Sequence, residues 1–236
     1  MGMTALYDGI GLGYARLRKP DKRIAQAIRL ALGDADSVLN VGAGAGSYEP
    51  EGRQVTALEP SMAMIRQRPS GSASACQGVA EFLPFPDFQF DAAMALLTLH
   101  HWSDLEAGLL EMRRVTRGRL VILTFDPAAP YFWLTDYFPE IIEIDQVIMP
   151  QLNAIKQILG PVSVEPLAIP HDCTDGFLGA YWRRPHAYLD ADVRSAISIF
   201  SMIENIRNPL KRLEKDLVSG AWDKKHGHLV TAESLD

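Results

Sequence analysis

Cysteine is nearly missing from this chain. Cys76 and Cys173 are its only thiols in 236 residues, and without CxxC spacing they exclude a disulfide framework and a cysteine-built zinc site, and agree with a reducing, cytoplasmic setting. Long apolar runs are missing too: nothing approaches the roughly 20 residues that a bilayer-crossing helix needs, and the N-terminus shows no signal-peptide pattern. Leu6 stands where a myristoylation signal has Ser or Thr. Cations are in deficit, 23 Lys and Arg against 29 Asp and Glu, for a net charge of −6. Nucleic-acid affinity comes mostly from clustered cations, so this balance argues against a broad phosphate-binding face and leaves small or neutral molecules as the expected partners. Internal repeats and low-complexity linkers are absent as well. A 47% apolar content is enough for a buried core, and the length suits a single domain over residues 1–236.

What is present is concentrated between Ser37 and Ser61, SVLNVGAGAGSYEPEGRQVTALEPS. An apolar run is followed by a glycine-dense turn, a second β-type run and an acid. Gly42, Gly44 and Gly46 let the backbone turn sharply and approach a ligand with no side chain in the way. Glu59 follows Gly42 by 17 residues, where a parallel sheet places an acid to hold the two hydroxyls of a ribose. The pieces indicate a nucleoside site. The G-x-G-x-x-G of a dinucleotide site is incomplete: the third glycine comes one residue early, Ser47 takes the last position, and Pro50 with Gly52 leaves barely one helical turn before the next strand. A weak phosphate cradle is expected, which disfavours a nicotinamide-dependent oxidoreductase.

The rest of the chain reads as strands alternating with helices. Ile24, Ala27, Ile28, Ala31 and Leu32 share one helical face after Pro20, with Gly33 as the stop. Strands are predicted at Val38–Val41, Val55–Glu59, Ala73–Gln77, Phe90–Leu97 and Leu120–Phe125. Ser61 suits an N-cap for MAMIRQR, and Ser103 with Glu106 has the capping-box spacing ahead of the stripe Leu105, Leu109, Met112 and Val115. This βαβ alternation predicts right-handed crossovers and an α/β fold, a doubly wound, mostly parallel sheet with helices on both faces. Beyond it we expect a helix at 151–159, a sixth strand at Val162–Leu167, a helical turn or two in FLGAYWRRP, and helices at Asp190–Ile206 and Pro209–Val218, the last ending at Gly220.

Taken in order, VLNVGAGAG, VTALEPS, AEFLPF, FDAAMALLTLHHW and EMRRVTRGRLVILTF resemble the ubiquinone-biosynthesis-type branch of the class I S-adenosylmethionine-dependent methyltransferases, over about residues 5–126. The resemblance implies S-adenosyl-L-methionine as cofactor. It sets Gly42, Gly44 and Gly46 against the methionine and ribose, Glu59 at the ribose hydroxyls, Ser61 and Met62 beside the adenine with Ala80 and Glu81 on its other edge, and Leu97 beneath the cofactor. Tyr14 and Arg18 fall where such enzymes close an N-terminal lid over the cofactor's carboxylate, which makes residues 1–20 a lid arm, 21–126 the cofactor-binding core and 127–236 the acceptor side. Two positions depart from the pattern. Asn40 stands where the family often has an acid that meets the methionine ammonium through solvent, and Val79 where an aspartate commonly accepts from the adenine amino group. The family fold ends in a reversed seventh strand, for which only HLVT after Gly220 is available.

The acceptor side is less legible. His100 and His101 follow the fourth strand and can orient a nucleophile or take its proton; His171, with Asp172, Cys173 and Asp175 in PHDCTDGF, offers a further base or a polar loop, and the crowding lacks metal-ligand spacing. Tyr131, Phe132, Trp133, Tyr137 and Phe138 put five aromatics into eight residues, either local core or a pocket wall. LTLH occupies the place of the Asn-Pro-Pro-Tyr type tetrapeptide of amide and base methylation. The expected activity is methyl transfer to a small molecule by in-line displacement. The alternative is an inactive protein that binds S-adenosylmethionine or S-adenosylhomocysteine.

Overall fold

Val38, Leu39, Val41, Ala57, Leu58, Ala92, Ala93, Met94 and Ala95 are all buried, as expected where short apolar runs are covered on both faces. In the computed structural model, which describes residues 17–235, they belong to a five-stranded sheet of order β3-β2-β1-β4-β5. The strands are β1 (Ser37–Val41), β2 (Gln54–Glu59), β3 (Ser74–Gln77), β4 (Phe90–Leu96) and β5 (Thr116–Leu123), and every pairing is parallel. Tyr14 lies outside the described residues.

The pleat gives the two faces different partners. Leu39, Val41, Leu58, Ala93 and Ala95 share a core with Leu109, Met112 and Val115 of α3 (Leu105–Val115) and Ile155 of α5 (Leu152–Leu159). On the opposite face Arg119, in register with Ala92, donates to the Ala31 carbonyl of α1 (Lys22–Leu32) at 3.0 Å. The helices between strands are reduced: turns alone join β1 to β2, α2 (Met62–Arg66) joins β2 to β3, and residues 78–89 contain no helix. Ser61 caps α2 as read from the sequence, its hydroxyl accepting from Met64 N–H at 3.3 Å. The expected capping box is replaced: Asp104 is the N-cap of α3, accepting from Ala107 N–H at 2.9 Å, while Ser103 gives both its donors to Glu81.

Contacts divide the chain into two compact units. The sheet, α1, α2, α3 and α5 form the first. The second comprises, among the described residues, 17–21, 129–147 and 165–235, with α4 (Glu140–Ile148), α6 (Ala191–Ser195), α7 (Arg207–Ser219) and α8 (Ala221–His226). Its core is aromatic: Trp133 meets Tyr188 and Trp222 edge to face at 5.6 and 5.3 Å, and Phe138 meets Phe200 at 5.3 Å.

Three elements differ from the sequence reading. Residues 162–168 form no strand, because Pro161 and Pro166 remove ladder donors on either side of the apolar pair; a two-residue strand β6 (Ile169–Pro170) instead pairs antiparallel with β7 (Ser234–Leu235). HLVT is not extended. Gly227 keeps right-handed helical angles (φ −59°, ψ −22°) after α8, and Gly227–Thr231 continues as a 3-10 helix. The helix expected over Asp190–Ile206 breaks at Ile197, whose backbone is extended. β-branched Ile197 and Ile199 weaken it, and Ser195 and Ser201 turn their hydroxyls onto the carbonyls of Asp192 and Ser198. The helical turn expected in FLGAYWRRP is present in 3-10 form, Leu178–Tyr181. The α7 helix ends as predicted, with Gly220 at φ +74°.

Candidate functional site: the glycine turn and Glu59

The sheet order places β2 on one side of β1 and β4 on the other, so the chain switches direction at the carboxyl end of β1, where open α/β sheets bind ligands. The glycine turn fills that point. Gly42 and Ala43 N–H both donate to the Leu58 carbonyl, at 2.9 and 3.0 Å, which folds the turn back across the end of β2. At φ +70° Gly42 is in the left-handed region, and a Cβ there would lie 2.1 Å from Thr98 Oγ1. No other residue fits.

Glu59 is buried at the end of β2 and binds the turn directly: Oε2 accepts from Gly44 N–H at 2.8 Å and Oε1 from Ser61 N–H at 2.9 Å. Burial raises its pKa above the ordinary glutamate value, and the two backbone donors oppose that rise. Each carboxylate oxygen has two acceptor sites, so one per oxygen remains for a pair of adjacent hydroxyls. A cradle that side chains would block and a carboxylate with spare acceptors together fit a ribose-bearing, phosphate-free ligand.

Behind the turn stands a group that the sequence reading missed. Arg68 donates to both oxygens of Glu49 at 2.6 and 2.8 Å, to the Ala73 carbonyl at 3.1 Å and to the Gly44 carbonyl at 3.4 Å. Glu49 also accepts from Asn40 Nδ2 at 3.3 Å. Their side chains are 5% and 10% exposed. Asn40, lacking the family's usual charge, is thus tied to an acid nine residues later. An acid in the glycine turn and an arginine just after α2 were the signals; neither is legible as a pair across 19 residues.

Along the far edge, Met62 and Val79 are exposed, whereas Ala80 is buried in the core beneath α3. Glu81 is buried and engaged with the start of α3, accepting from Ser103 N–H at 2.7 Å, Ser103 Oγ at 2.8 Å and Asp104 N–H at 3.1 Å. Leu97 has a positive φ of 54° and donates to the Leu123 carbonyl at 2.7 Å, a strained conformation of the kind held at functional sites. His100 and His101 follow in a 3-10 turn, rings 3.8 Å apart. Burial pushes the His101 pKa down to about 4, which leaves its imidazole neutral at pH 7.

Comparison with known proteins decides between the readings of this geometry. Residues 39–122, from β1 to β5, match the methyltransferase-domain family. A solved structure from Anabaena variabilis ATCC 29413, described as a candidate methyltransferase from an antibiotic biosynthesis pathway, superposes with a TM-score of 0.86 at 36% identity, covering 93% of this chain and 95% of that one. The chain belongs to the class I S-adenosylmethionine-dependent methyltransferases. Demethylmenaquinone methyltransferase of Mycolicibacterium gilvum (strain PYR-GCK) is 36% identical over 148 residues, 57% of this chain and 65% of the relative. The chloroplastic 2-methyl-6-phytyl-1,4-hydroquinone methyltransferase 2 of Oryza sativa subsp. japonica is 30% identical over 115 residues, 44% and 32%. The alignments thus span less than two thirds of these curated relatives' own lengths. S-adenosyl-L-methionine is the methyltransferase's cofactor, and the turn at Gly42 with Glu59 fits it.

Arg18, His171 and the aromatic run, also predicted for this methyltransferase, lie in the second unit, while Gly46 stays in the glycine turn of the first at φ +92°. Arg18 is held by Asp175, Nε to Oδ1 at 2.6 Å and Nη2 to Oδ2 at 3.4 Å, and Asp21 accepts from Thr174 N–H at 3.1 Å. The segment before α1 is therefore stapled to the PHDCTDGF loop. Cys173 is buried, its pKa pushed up to about 11. His171 is on the β6–β7 ribbon, its N–H donating to the Glu233 carbonyl at 3.1 Å. Of the aromatic run, Trp133, Tyr137 and Phe138 are buried in this unit's core, and Phe132 is half-buried.

Proposed function

We propose that the chain methylates a small-molecule acceptor by in-line displacement, with the first unit carrying the cofactor and the second the acceptor specificity. The observation that supports this most is the Glu59 carboxylate, bound at once to Gly44 and Ser61 at the switch point of the sheet. The relatives named for methylating demethylmenaquinone and a phytyl hydroquinone act on small molecules, and the net charge of −6 disfavours a polyanion. Bound S-adenosylmethionine supplies an already activated methyl on sulfonium. The protein's task is then alignment and exclusion of water. Glu59 fixes the ribose. Gly42, Gly44 and Gly46 admit the methionine portion, Ser61, Met62, Ala80 and Glu81 border the adenine, and the strained Leu97 backbone forms the floor. Arg18 and Tyr14 serve the lid. His101, neutral through burial, orients an acceptor hydroxyl rather than storing its proton, with His100 beside it; His171 is a separate polar candidate within the second unit.

The test is to incubate the protein with S-adenosylmethionine and a metabolite library. Mass spectrometry should find a product heavier by one methylene, together with S-adenosylhomocysteine. Methylation only of protein or nucleic acid would overturn the acceptor reading.

A further inference from the structure

The second unit contains a cleft of about 340 Å³, within the size range of small-ligand sites, roughly 300 Å³ and upward. Phe132, Trp133, Leu229 and Leu235 give it apolar walls, and Asp136 and His226 a polar end. The rings of Phe132 and Trp133 stand edge to face, centroids 5.9 Å apart and planes at 84°. Such a corner offers one ring face and one ring edge to a third aromatic ring. The polar end is charge-balanced. Lys225 Nζ and His226 Nε2 approach the same oxygen, Asp136 Oδ2, at 2.7 and 3.2 Å, which leaves Oδ1 to accept from a ligand.

We propose that this cleft binds a neutral, hydroxyl-bearing aromatic molecule, its ring packed into the corner that Phe132 and Trp133 form and its hydroxyl donating to Asp136. The proposal goes beyond the acceptor reading above, because it concerns a cleft inside the second unit and a ligand judged there by binding alone. An anionic ligand meets the Asp136 carboxylate. An ammonium ligand finds that carboxylate already neutralised by Lys225. A neutral hydroxyl avoids both penalties and supplies the donor that Oδ1 lacks. The imidazole of His226, buried and with its pKa lowered chiefly by that burial, adds no fixed charge to the polar end.

The experiment compares four probes by calorimetric titration of the full chain: 4-propylphenol, its methyl ether 4-propylanisole, 4-propylbenzylamine and 4-propylcyclohexanol. The phenol should bind tightest, about tenfold better than the other three, the loss expected when one hydrogen bond or one ring contact is removed. Asp136→Ala should abolish the preference for phenol over ether, and Phe132→Ala the preference for phenol over cyclohexanol. S-adenosylhomocysteine affinity, measured on the same samples, should stay unchanged and reports that the variants are folded. Equal affinity for all four probes, or no phenol binding below about 1 mM, would overturn the proposal on the unmodified chain alone. Failure of S-adenosylhomocysteine to bind the unmodified chain would strike the methyltransferase reading, while the probe series judges the cleft separately.

Discussion

Gly44 N–H and Glu59 Oε2 lie 2.8 Å apart, so the acid we propose to hold the ribose also shapes the turn we propose to admit the methionine. One carboxylate therefore has two tasks, and its variants should separate them. Glu59→Ala should weaken cofactor binding by about 1.5 to 3 kcal/mol, roughly tenfold to a hundredfold. It should also lower stability by about 1 to 3 kcal/mol, because two buried N–H groups lose their acceptor. Calorimetry and denaturant melts read the two losses independently. Burial raises the carboxyl's pKa, and the hydroxyls bind the ionised form. Affinity should therefore start to fall, as pH is lowered, above the ordinary glutamate range.

Gly42 and Gly44 should respond differently to alanine. Both have positive φ, which costs about 1 to 2 kcal/mol for a residue with a Cβ. At Gly42 the new methyl also lands 2.1 Å from Thr98 Oγ1, whereas at Gly44 its nearest neighbour is Met64 Cε at 3.5 Å. Thermal melts should show Gly42→Ala far more destabilised than Gly44→Ala, and Thr98→Gly in the Gly42→Ala background should recover the difference. Equal losses would contradict the packing account.

Much of this site was legible in the sequence, because its parts are local. A glycine turn between two apolar runs, an acid at the end of the second and a serine cap are fixed by backbone chemistry over 25 residues. The Arg68–Glu49 pair was hidden, since the partners meet only once β2 and β3 are side by side. In the C-terminal part, prolines at 161 and 166 and the helical angles of Gly227 overrode apolar runs that read as strands. Asp136 and His226, 90 positions apart, carry no joint signature at all.

The Arg68–Glu49 pair yields its own prediction. The two side chains are only 5% and 10% exposed, so removing one partner strands a largely desolvated charge. Arg68→Leu should cost about 3 to 5 kcal/mol in stability, while Arg68→Leu with Glu49→Leu should regain most of it. A double-mutant cycle by urea melts measures this coupling.

Asp145 predicts a pH dependence. It is buried in α4, Oδ1 has no hydrogen-bond partner among the described residues, and burial pushes its pKa up to about 6. For an acid whose pKa rises on folding, the unfolded chain releases its proton first, so stability is lost as pH rises toward and through about 6. Asp145→Asn should therefore stabilise the protein at pH 8 by about 2 to 3 kcal/mol and change little at pH 4. A pH-independent effect would show that the carboxyl is not desolvated.

Titrating S-adenosylhomocysteine and NAD in parallel into the unmodified and Glu59→Ala chains asks whether the Gly42 turn and Glu59 hold S-adenosylmethionine. We expect one-site binding of S-adenosylhomocysteine to the unmodified chain, weakened about tenfold to a hundredfold by the substitution, with no binding of NAD. Undiminished affinity in a folded Glu59→Ala chain, or equal binding of NAD, would contradict the account.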